Sequence, residues 1–369
     1  MDKKISRIKV RLGRRSYNIF VGTRIMASLD KFIPAAILKN PVLVVTNKRV
    51  RKLLGADVRR AFARLSGGVS FKEIPDGEAA KTISVYMDIV GALASIGRKA
   101  KPLLVALGGG VTGDVSGFAA ATYRRGIPYM QVPTTLLAQV DSAIGGKVAI
   151  DLPSAKNLVG SFYQPCAVVS DLAVLSSLPE KEIRNGLAEI IKYAVIKDAQ
   201  LFGYLEKNID SLLALKPAAL LRVVTRCAAI KAGVVSTDEY DRTGVRMALN
   251  FGHTFGHAVE AAFGYSKKYT HGEAVAIGMA MACSAAVDMK TMDRKSASRV
   301  LALIERAGLP MRVKGSSVAR IAGILDYDKK FSGGRNCFVL PVAIGRVRLF
   351  RDVPDSIIRN NIKKRWNHG

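Results

Sequence analysis

The stretch Leu103-Leu-Val-Ala-Leu107 runs without a break into Gly108-Gly-Gly-Val-Thr-Gly-Asp114 and then into the helix-compatible residues 115–123. A short, wholly apolar run that ends in glycines and reopens as a helix is a buried strand followed by an uncovered helix N-terminus. Glycines there let the backbone approach a phosphate, and the helix start supplies free N–H donors and a partial positive charge. The order is not the common Gly-x-Gly-x-x-Gly, so spacing alone leaves a plain tight turn open beside dinucleotide binding.

Further apolar runs at 42–46, 129–132 and 167–170 are separated by helix-length segments such as 79–96. That alternation predicts a Rossmann-like parallel α/β sheet, preceded by a hairpin over residues 8–22 that turns at Gly13. In an open sheet of this kind ligands gather at the carboxyl edge. Asp76-Gly77-Glu78 with Lys81 falls at that edge, where carboxylates reach ribose hydroxyls, and so does Pro133-Thr134-Thr135, with two hydroxyls at a helix start. Asp141-Ser-Ala-Ile-Gly-Gly-Lys147, continuing through Asp151 to Lys156-Asn157, is polar between apolar flanks. Lys147 and Lys156 suit anions, although ordinary hairpin lysines fit equally well. Beyond Leu178-Pro179 the pattern turns amphipathic, with helices expected over 180–197, 217–236, 253–262 and 273–290. The expected division is an α/β domain over 1–178 and a mostly α-helical domain over 179–369.

Only four histidines occur, His253, His257, His271 and His368, and three fall within nineteen residues. His253 and His257 are spaced i, i+4, so one helical face presents both, and spacing alone nominates both as ligands of one ion. His271, in Thr270-His-Gly-Glu273, stands at a helix entrance. Glu189 and Lys192 are i, i+3 on an otherwise apolar helix, as a site or as a buried ion pair. Two histidines and one carboxylate form a set that suits catalytic zinc with an open position. Arg246, Asn250, His253 and His257 follow a 4, 3, 4 spacing and are expected to line one helical stripe. With Lys231 and Asp328-Lys329-Lys330 nearby, that stripe reads as a wall for an anionic substrate.

Composition excludes several other classes. Hydrophobic residues make up 49% and charged residues 23%, which is ordinary globular usage. The alanine-rich run over 274–287 is broken by Gly, Cys and Ser, short of the ~20 apolar residues of a membrane span. The charged N-terminus lacks the apolar core of a secretory signal, and the dispersed Cys166, Cys227, Cys283 and Cys337 show no paired spacing, so a cytoplasmic location with reduced thiols is expected. The net charge is +28, and residues 1–70 hold 17 Lys or Arg against Asp2, Asp30 and Asp57. Those charges alternate with apolar residues and accompany no nucleic-acid-binding motif, so they read as a solvated face.

From Arg11-Leu-Gly-Arg-Arg-Ser-Tyr17 to Asp328-Lys-Lys330 and Phe338-Val-Leu340, the chain resembles the 3-dehydroquinate synthases, within the sugar-phosphate cyclases. The longest matching stretches are 107–114, 119–151, 186–193, 250–260 and 271–279. The resemblance implies an NAD-binding α/β domain, a helical metal-binding domain, an active site in the cleft between them and a homodimer. It implies Glu189, His253 and His271 as ligands of a divalent metal, zinc or cobalt, and moves His257 from the metal to the substrate phosphate. Implied NAD contacts are Asp76, Gly77, Glu78, Lys81, Gly109, Gly110, Val111, Thr112, Gly113, Asp114, Thr134, Thr135, Lys147, Lys156 and the segment Val174, Leu175, Ser176 and Ser177. The family usually has Thr at Ser177, and relatives carry Asp where Asn47 stands. Implied substrate contacts are Arg125, Asp141, Lys147, Asn157, Lys192, Lys231, Arg246, Asn250, His257 and Lys330. The implied substrate is a phosphorylated sugar acid, 3-deoxy-D-arabino-heptulosonate 7-phosphate, cyclised by transient oxidation, phosphate elimination, reduction, ring opening and an aldol closure. A different sugar-phosphate cyclase, a metal-dependent polyol phosphate dehydrogenase and a nucleic-acid-binding protein are the rival readings.

Overall fold

A computed structural model describes the chain apart from residues 1–4, 64, 66, 99, 153–154, 265–267, 316–317, 332–334 and 368–369, and apart from the side chains of 155, 327–331 and 367. The chain forms two compact units, Met1–Leu178 with Leu220–Tyr240, and Pro179–Ala219 with Asp241–Gly369.

The first unit is built on a seven-stranded sheet. Its strands are β1 (Ser6–Val10), β2 (Tyr17–Gly22), β3 (Val42–Asn47), β4 (Val69–Ile74), β5 (Leu103–Gly108), β6 (Tyr129–Pro133) and, after a separate hairpin of β7 (Lys147–Leu152) and β8 (Ala155–Phe162), β9 (Ala167–Asp171). The spatial order is β1-β2-β9-β6-β5-β3-β4, parallel except for the β1–β2 hairpin. Every residue of β5, β6 and β9 is buried, as continuous apolar runs require when both faces are covered. Val42, Val44, Leu103, Val105 and Leu107 face one core, and Leu43, Val45, Leu104 and Ala106 face the other. The chain leaves β3 for β4 on one side and returns to β5 on the other, so the topological switch falls between β3 and β5, where the glycine-rich turn leaves the carboxyl end of β5.

Three helices cover the sheet: α1 (Lys48–Ala61), α2 (Ile83–Ile96) and α3 (Gly110–Thr122). The exposed side of α1 carries Lys48, Arg49, Arg51, Lys52, Arg59 and Arg60, and Arg51 and Arg59 lie 5.1 and 5.2 Å from the Phe71 ring. Two helix starts depart from the sequence reading. The expected helix over 79–96 is split into a 3-10 turn, Gly77–Ala80, and α2, because Thr82 caps a fresh start by accepting from the Val85 amide. Helix α3 begins at Gly110 instead of Val115, so the glycines form its first turn.

The second unit is mostly helical: α4 (Glu180–Lys197), α5 (Ala199–Leu213), the start of α6 (Pro217–Thr237), α7 (His253–Ala262), α8 (His271–Asp288), α9 (Arg294–Arg306), α10 (Val318–Phe331) and α11 (Asp355–Lys364). Short strands β10 (Val313–Lys314), β11 (Cys337–Ala343), β12 (Arg346–Arg351) and β13 (Trp366–Asn367) complete it. Among the described residues no helix is long and apolar enough to cross a membrane. Helix α8 starts two residues earlier than its hydrophobic pattern indicates, because Thr270 and Glu273 form a reciprocal capping box. It ends at Asp288, before Lys290 turns left-handed at φ +57°.

Helices α7 and α8 pack almost backbone to backbone. A Cβ on Gly278 would collide with the Gly252 carbonyl oxygen and lie 2.7 Å from the Gly256 amide nitrogen, and one on Gly252 would lie 2.9 Å from the Val275 carbonyl. Gly252 also adopts φ +79°, which only glycine enters without strain.

Candidate active site

In the first unit the predicted loops all stand at the carboxyl edge of the parallel strands. Gly109 caps α3 in an extended conformation with no side-chain cap, which leaves the first amides of α3 without intrahelical partners. Side chains crowd around this turn: a Cβ on Gly109 would lie 3.2 Å from Thr135 Cγ2, and one on Gly110 would lie 2.9 Å from Ser142 Oγ. Gly113 lets α3 approach β6, where its Cβ would sit 2.8 Å from Gln131 Oε1. Val111 is half-buried and Thr112 is buried in the same first turn. Thr134 is buried, and Thr135 Oγ1 accepts from the Ala138 amide at 3.2 Å.

Asp76 Oδ1 accepts from the Gly77 amide and, at 2.8 Å, from Asn47 Nδ2, tying the end of β4 to the end of β3. Lys156 Nζ lies 3.6 Å from Glu78 Oε2. After β9, residues 172–177 form a 3-10 turn in which Val174 and Leu175 are buried, and Ser176 and Ser177 donate to the carbonyls of Ala173 and Val174. The hydroxyl shared by Ser177 and the family's threonine therefore closes its own turn.

Lys81 is 4% exposed, and it donates to Asp114 Oδ2 at 2.9 Å and to Asn157 Oδ1, with Asp151 Oδ1 at 3.8 Å. Burial alone lowers its pKa, but the Asp114 carboxylate, aided by Asp151 and Glu78, outweighs this and holds it above the ordinary lysine value. Asp151 also accepts the Asn157 amide at 2.8 Å, pinning Asn157 at φ +56°. Lys147, paired with Phe162, opens the β7–β8 hairpin at the end away from Asn157. Asp141 lies in a π-helical turn, Ala138–Ser142, and its main-chain oxygen and carboxylate both accept from Lys231 of α6. Arg125 is placed apart from these residues. It is exposed at φ +60° in the turn that precedes β6, at the amino end of the strands.

In the second unit α4 is buried almost all round, and Glu189 and Lys192 are 0% and 1% exposed. Lys192 Nζ contacts Glu189 Oε2. Oε1 accepts no hydrogen bond among the described residues, while His253 Nε2 and His271 Nε2 lie 3.5 and 3.8 Å from it. One ligand atom from each of Glu189, His253 and His271 falls within 4.8 Å of the others. A buried carboxylate oxygen facing two imidazole nitrogens is a donor set that fits a divalent cation, with further positions left for substrate. His253 is pushed well below its usual pKa by burial, then by the charges of Lys192, His271 and His257, so it is a neutral ring. Its Nδ1 lies 3.2 Å from the Phe251 carbonyl, which leaves the Nε2 lone pair for a metal. Burial also acts downward on His271, but Glu260 outweighs it and raises that pKa.

His257, one turn beyond His253, is exposed, with ring centroids 5.4 Å apart. It falls outside the Glu189 group and forms a second potential group with Glu260 and His271. The single helical stripe expected over Arg246, Asn250, His253 and His257 is not formed. Val245–Asn250 is a 3-10 turn with Arg246 buried and Asn250 exposed, and left-handed Gly252 separates it from α7. Lys330 and His368 lie outside the described side chains. The sequence reading gave no role to Glu260, nor to Asp151, which it named only within the polar segment 141–157. Glu260 had a visible signal, since it is i+7 from His253 and i+3 from His257 on one helix.

A dinucleotide-type carboxyl edge in one unit and a two-histidine, one-glutamate cluster in the other fit the sugar-phosphate cyclase class. Solved members of that class match over nearly the whole chain. A 2-deoxy-scyllo-inosose synthase complexed with carbaglucose-6-phosphate, NAD+ and Co2+ aligns with TM-score 0.88 and 27% identity, covering 97% of this chain and 100% of that one. ValA, a 2-epi-5-epi-valiolone synthase from Streptomyces hygroscopicus subsp. jinggangensis 5008 with NAD+ and Zn2+ bound, aligns with TM-score 0.85 and 29% identity over 94% and 96%. The model of the 3-dehydroquinate synthase N-terminal region matches residues 71–185, and that of the C-terminal region matches 186–331. A 3-dehydroquinate synthase of Acidithiobacillus ferrooxidans is 44% identical over 360 residues, 98% of each chain. The chain belongs to the 3-dehydroquinate synthase family.

Proposed function

We propose that the chain converts 3-deoxy-D-arabino-heptulosonate 7-phosphate to 3-dehydroquinate and phosphate, as an NAD- and divalent-metal-dependent lyase. The observation that carries this is the full-length 44% identity to a 3-dehydroquinate synthase. The Glu189, His253 and His271 donor set supports the metal, and the bound NAD+ with Zn2+ or Co2+ of the solved relatives supports both cofactors. Zinc is the proposed metal, with cobalt as a substitute, and the proposed assembly is a cytoplasmic homodimer, as the family resemblance implies.

NAD held at the carboxyl edge would supply a reversible hydride acceptor, and a cation held by Glu189, His253 and His271 would supply a Lewis acid for the hydroxyl being oxidised. In the proposed assignment the amides of Gly110, Val111 and Thr112 hold the pyrophosphate at the start of α3, near Gly113 and Asp114. Asp76 and Glu78 meet ribose hydroxyls. Thr134, Thr135, Lys81, Lys147, Lys156 and the 174–177 turn complete the NAD contacts. Lys192, fixed beside Glu189, meets the substrate next to the metal. In the helical unit Arg246, Asn250, His257 and Lys330 are the proposed contacts to anionic groups of the substrate; in the α/β unit Lys147, Lys231 and Asn157 are, with Asp141 a further proposed substrate contact. The ketone formed at the ring acidifies the neighbouring C–H, and the departing phosphate serves as the base while these cations stabilise its charge. Positioning of the substrate, with no protein nucleophile, then carries ring opening and aldol closure.

The test is one incubation with heptulosonate phosphate, NAD and zinc. Phosphate and 3-dehydroquinate are expected in equal amounts without net NADH. Steady NADH accumulation identifies a dehydrogenase instead, and a different carbocycle identifies another cyclase.

A further inference from the structure

We infer that Glu260 is a positioning residue of the metal centre, holding the His271 ring so that Nε2 faces Glu189. The inference rests on the proposed metal site and adds a group outside its ligand set. Glu260 Oε2 lies 3.4 Å from His271 Nδ1, and the Glu260 side chain is 15% exposed. A carboxylate in the last turn of a helix opposes the macrodipole, and Glu260 stands two residues before the end of α7. It therefore needs a compensating donor, and the His271 N–H is one.

The two ligand histidines need different orienting partners for a local reason. His253 follows left-handed Gly252, which turns the Phe251 carbonyl back to its Nδ1 at 3.2 Å. His271 opens α8 directly after the capping residue Thr270, whose own groups serve Glu273 and the Ala274 amide. Its Nδ1 is served from α7 instead, by a side chain on the same face as His253 and His257.

The other use of these atoms is a second cation held by His257, Glu260 and His271, which together can form a ligand group. A neutral imidazole has one N–H and one lone pair, so His271 cannot ligate through Nε2 and Nδ1 together while it stays neutral. With Nε2 directed at the buried Glu189, Nδ1 carries the proton and Glu260 accepts it. Carboxylate, histidine and metal then form a relay of orientation, a partner type whose loss typically costs 10–100-fold in metal affinity.

The experiment titrates zinc into metal-free wild type, Glu260→Gln, Glu260→Ala and Glu260→Asp against a chromophoric chelator, with thermal melting of the metal-free proteins and the visible d–d spectrum after cobalt loading. Wild type is expected to bind one ion per chain. The Gln and Ala variants should bind it about 10–100-fold more weakly with an altered cobalt spectrum, Asp should recover part of the loss, and metal-free melting should change little. Gln keeps the shape of Glu, so it also serves if Ala does not fold. Gln and Ala affinities within twofold of wild type overturn the inference. So does a second bound ion per chain that disappears in Glu260→Ala, because Glu260 is then a ligand. Absence of metal from wild type refutes the underlying site reading instead.

Discussion

Replacing Gly278 by Ala tests whether the approach of α7 and α8 sets the geometry of the histidines. The added methyl meets the Gly252 carbonyl oxygen and lies 2.7 Å from the Gly256 nitrogen and 3.0 Å from the Gly252 carbonyl carbon, against 3.4–4 Å for an ordinary contact. All three neighbours are backbone atoms, so no rotamer change relieves the clash, and α7 must retreat from α8 by well over half an ångström. Overpacking of this kind costs about 1–3 kcal/mol, and the helix propensity gained over glycine returns about 0.5–1 kcal/mol. The net loss is then roughly 0–2.5 kcal/mol, centred near 1 kcal/mol. His253 follows Gly252 and His271 heads α8, so the displacement also separates two members of the metal cluster. A misplacement of about 1 Å in a catalytic constellation can cost ~100-fold in rate. Thermal melting of the metal-free protein, zinc titration and turnover read the three effects separately. Gly203→Ala in α5 is the control with the opposite sign, because its Cβ meets nothing within 4 Å; it should gain about 0.4–1 kcal/mol. If Gly278→Ala melts at or above wild type and binds zinc unchanged, close packing of these helices does not set the site.

His271→Ala should lose bound metal and activity together, measured by elemental content and phosphate release; full activity in metal-free protein removes His271 from the ligands. Lys192→Ala should keep zinc and lose turnover. Its metal-free form should be destabilised by about 3–5 kcal/mol, because Glu189 is left as an uncompensated buried charge, and added zinc should restore most of that; unchanged kinetics remove Lys192 from the site. Asp288 is pulled upward by burial, but its hydrogen bonds from Lys364 and Asn361 outweigh this and leave its pKa below the usual carboxylate value. Its stabilisation is therefore present above the unfolded-state pKa and lost as pH falls through the folded one, so the deficit of Asp288→Asn at neutral pH should close below about pH 4. A deficit that persists in acid contradicts that linkage.

The strands were legible because β5 is apolar throughout and β3, β6 and β9 are nearly so, their polar residues being Thr46, Asn47, Gln131, Ser170 and Asp171, a pattern that burial on both faces imposes directly on sequence. Helix starts were less so: apolar periodicity begins where a helix packs, whereas Gly110 and His271 begin helices through caps and backbone geometry. The 4, 3, 4 spacing over Arg246 to His257 failed because counting residues assumes an unbroken helix and cannot register the reversal at Gly252. Proximity in sequence drew attention to His253 with His257, yet Glu189, sixty-four residues upstream, faces His253 and His271 across a gap that only folding closes. The Lys81 cluster was hidden for the same reason, since Lys81, Asp114 and the β7–β8 hairpin that carries Asp151 and Asn157 are three separate segments.

Helix α6 gives the assembly of the first unit a timetable. Lys231 meets Asp141, Glu239 meets Arg15, and Ser236 accepts the Arg11 amide, so the unit stays incomplete after residue 178 has been made. At about 5–20 residues per second, synthesis of the stretch through Tyr240 adds a delay of roughly 3–12 s. During it the nascent sheet must persist with the main-chain oxygen and carboxylate of Asp141 waiting for their lysine. A fragment ending at the apparent boundary would be held at that stage permanently.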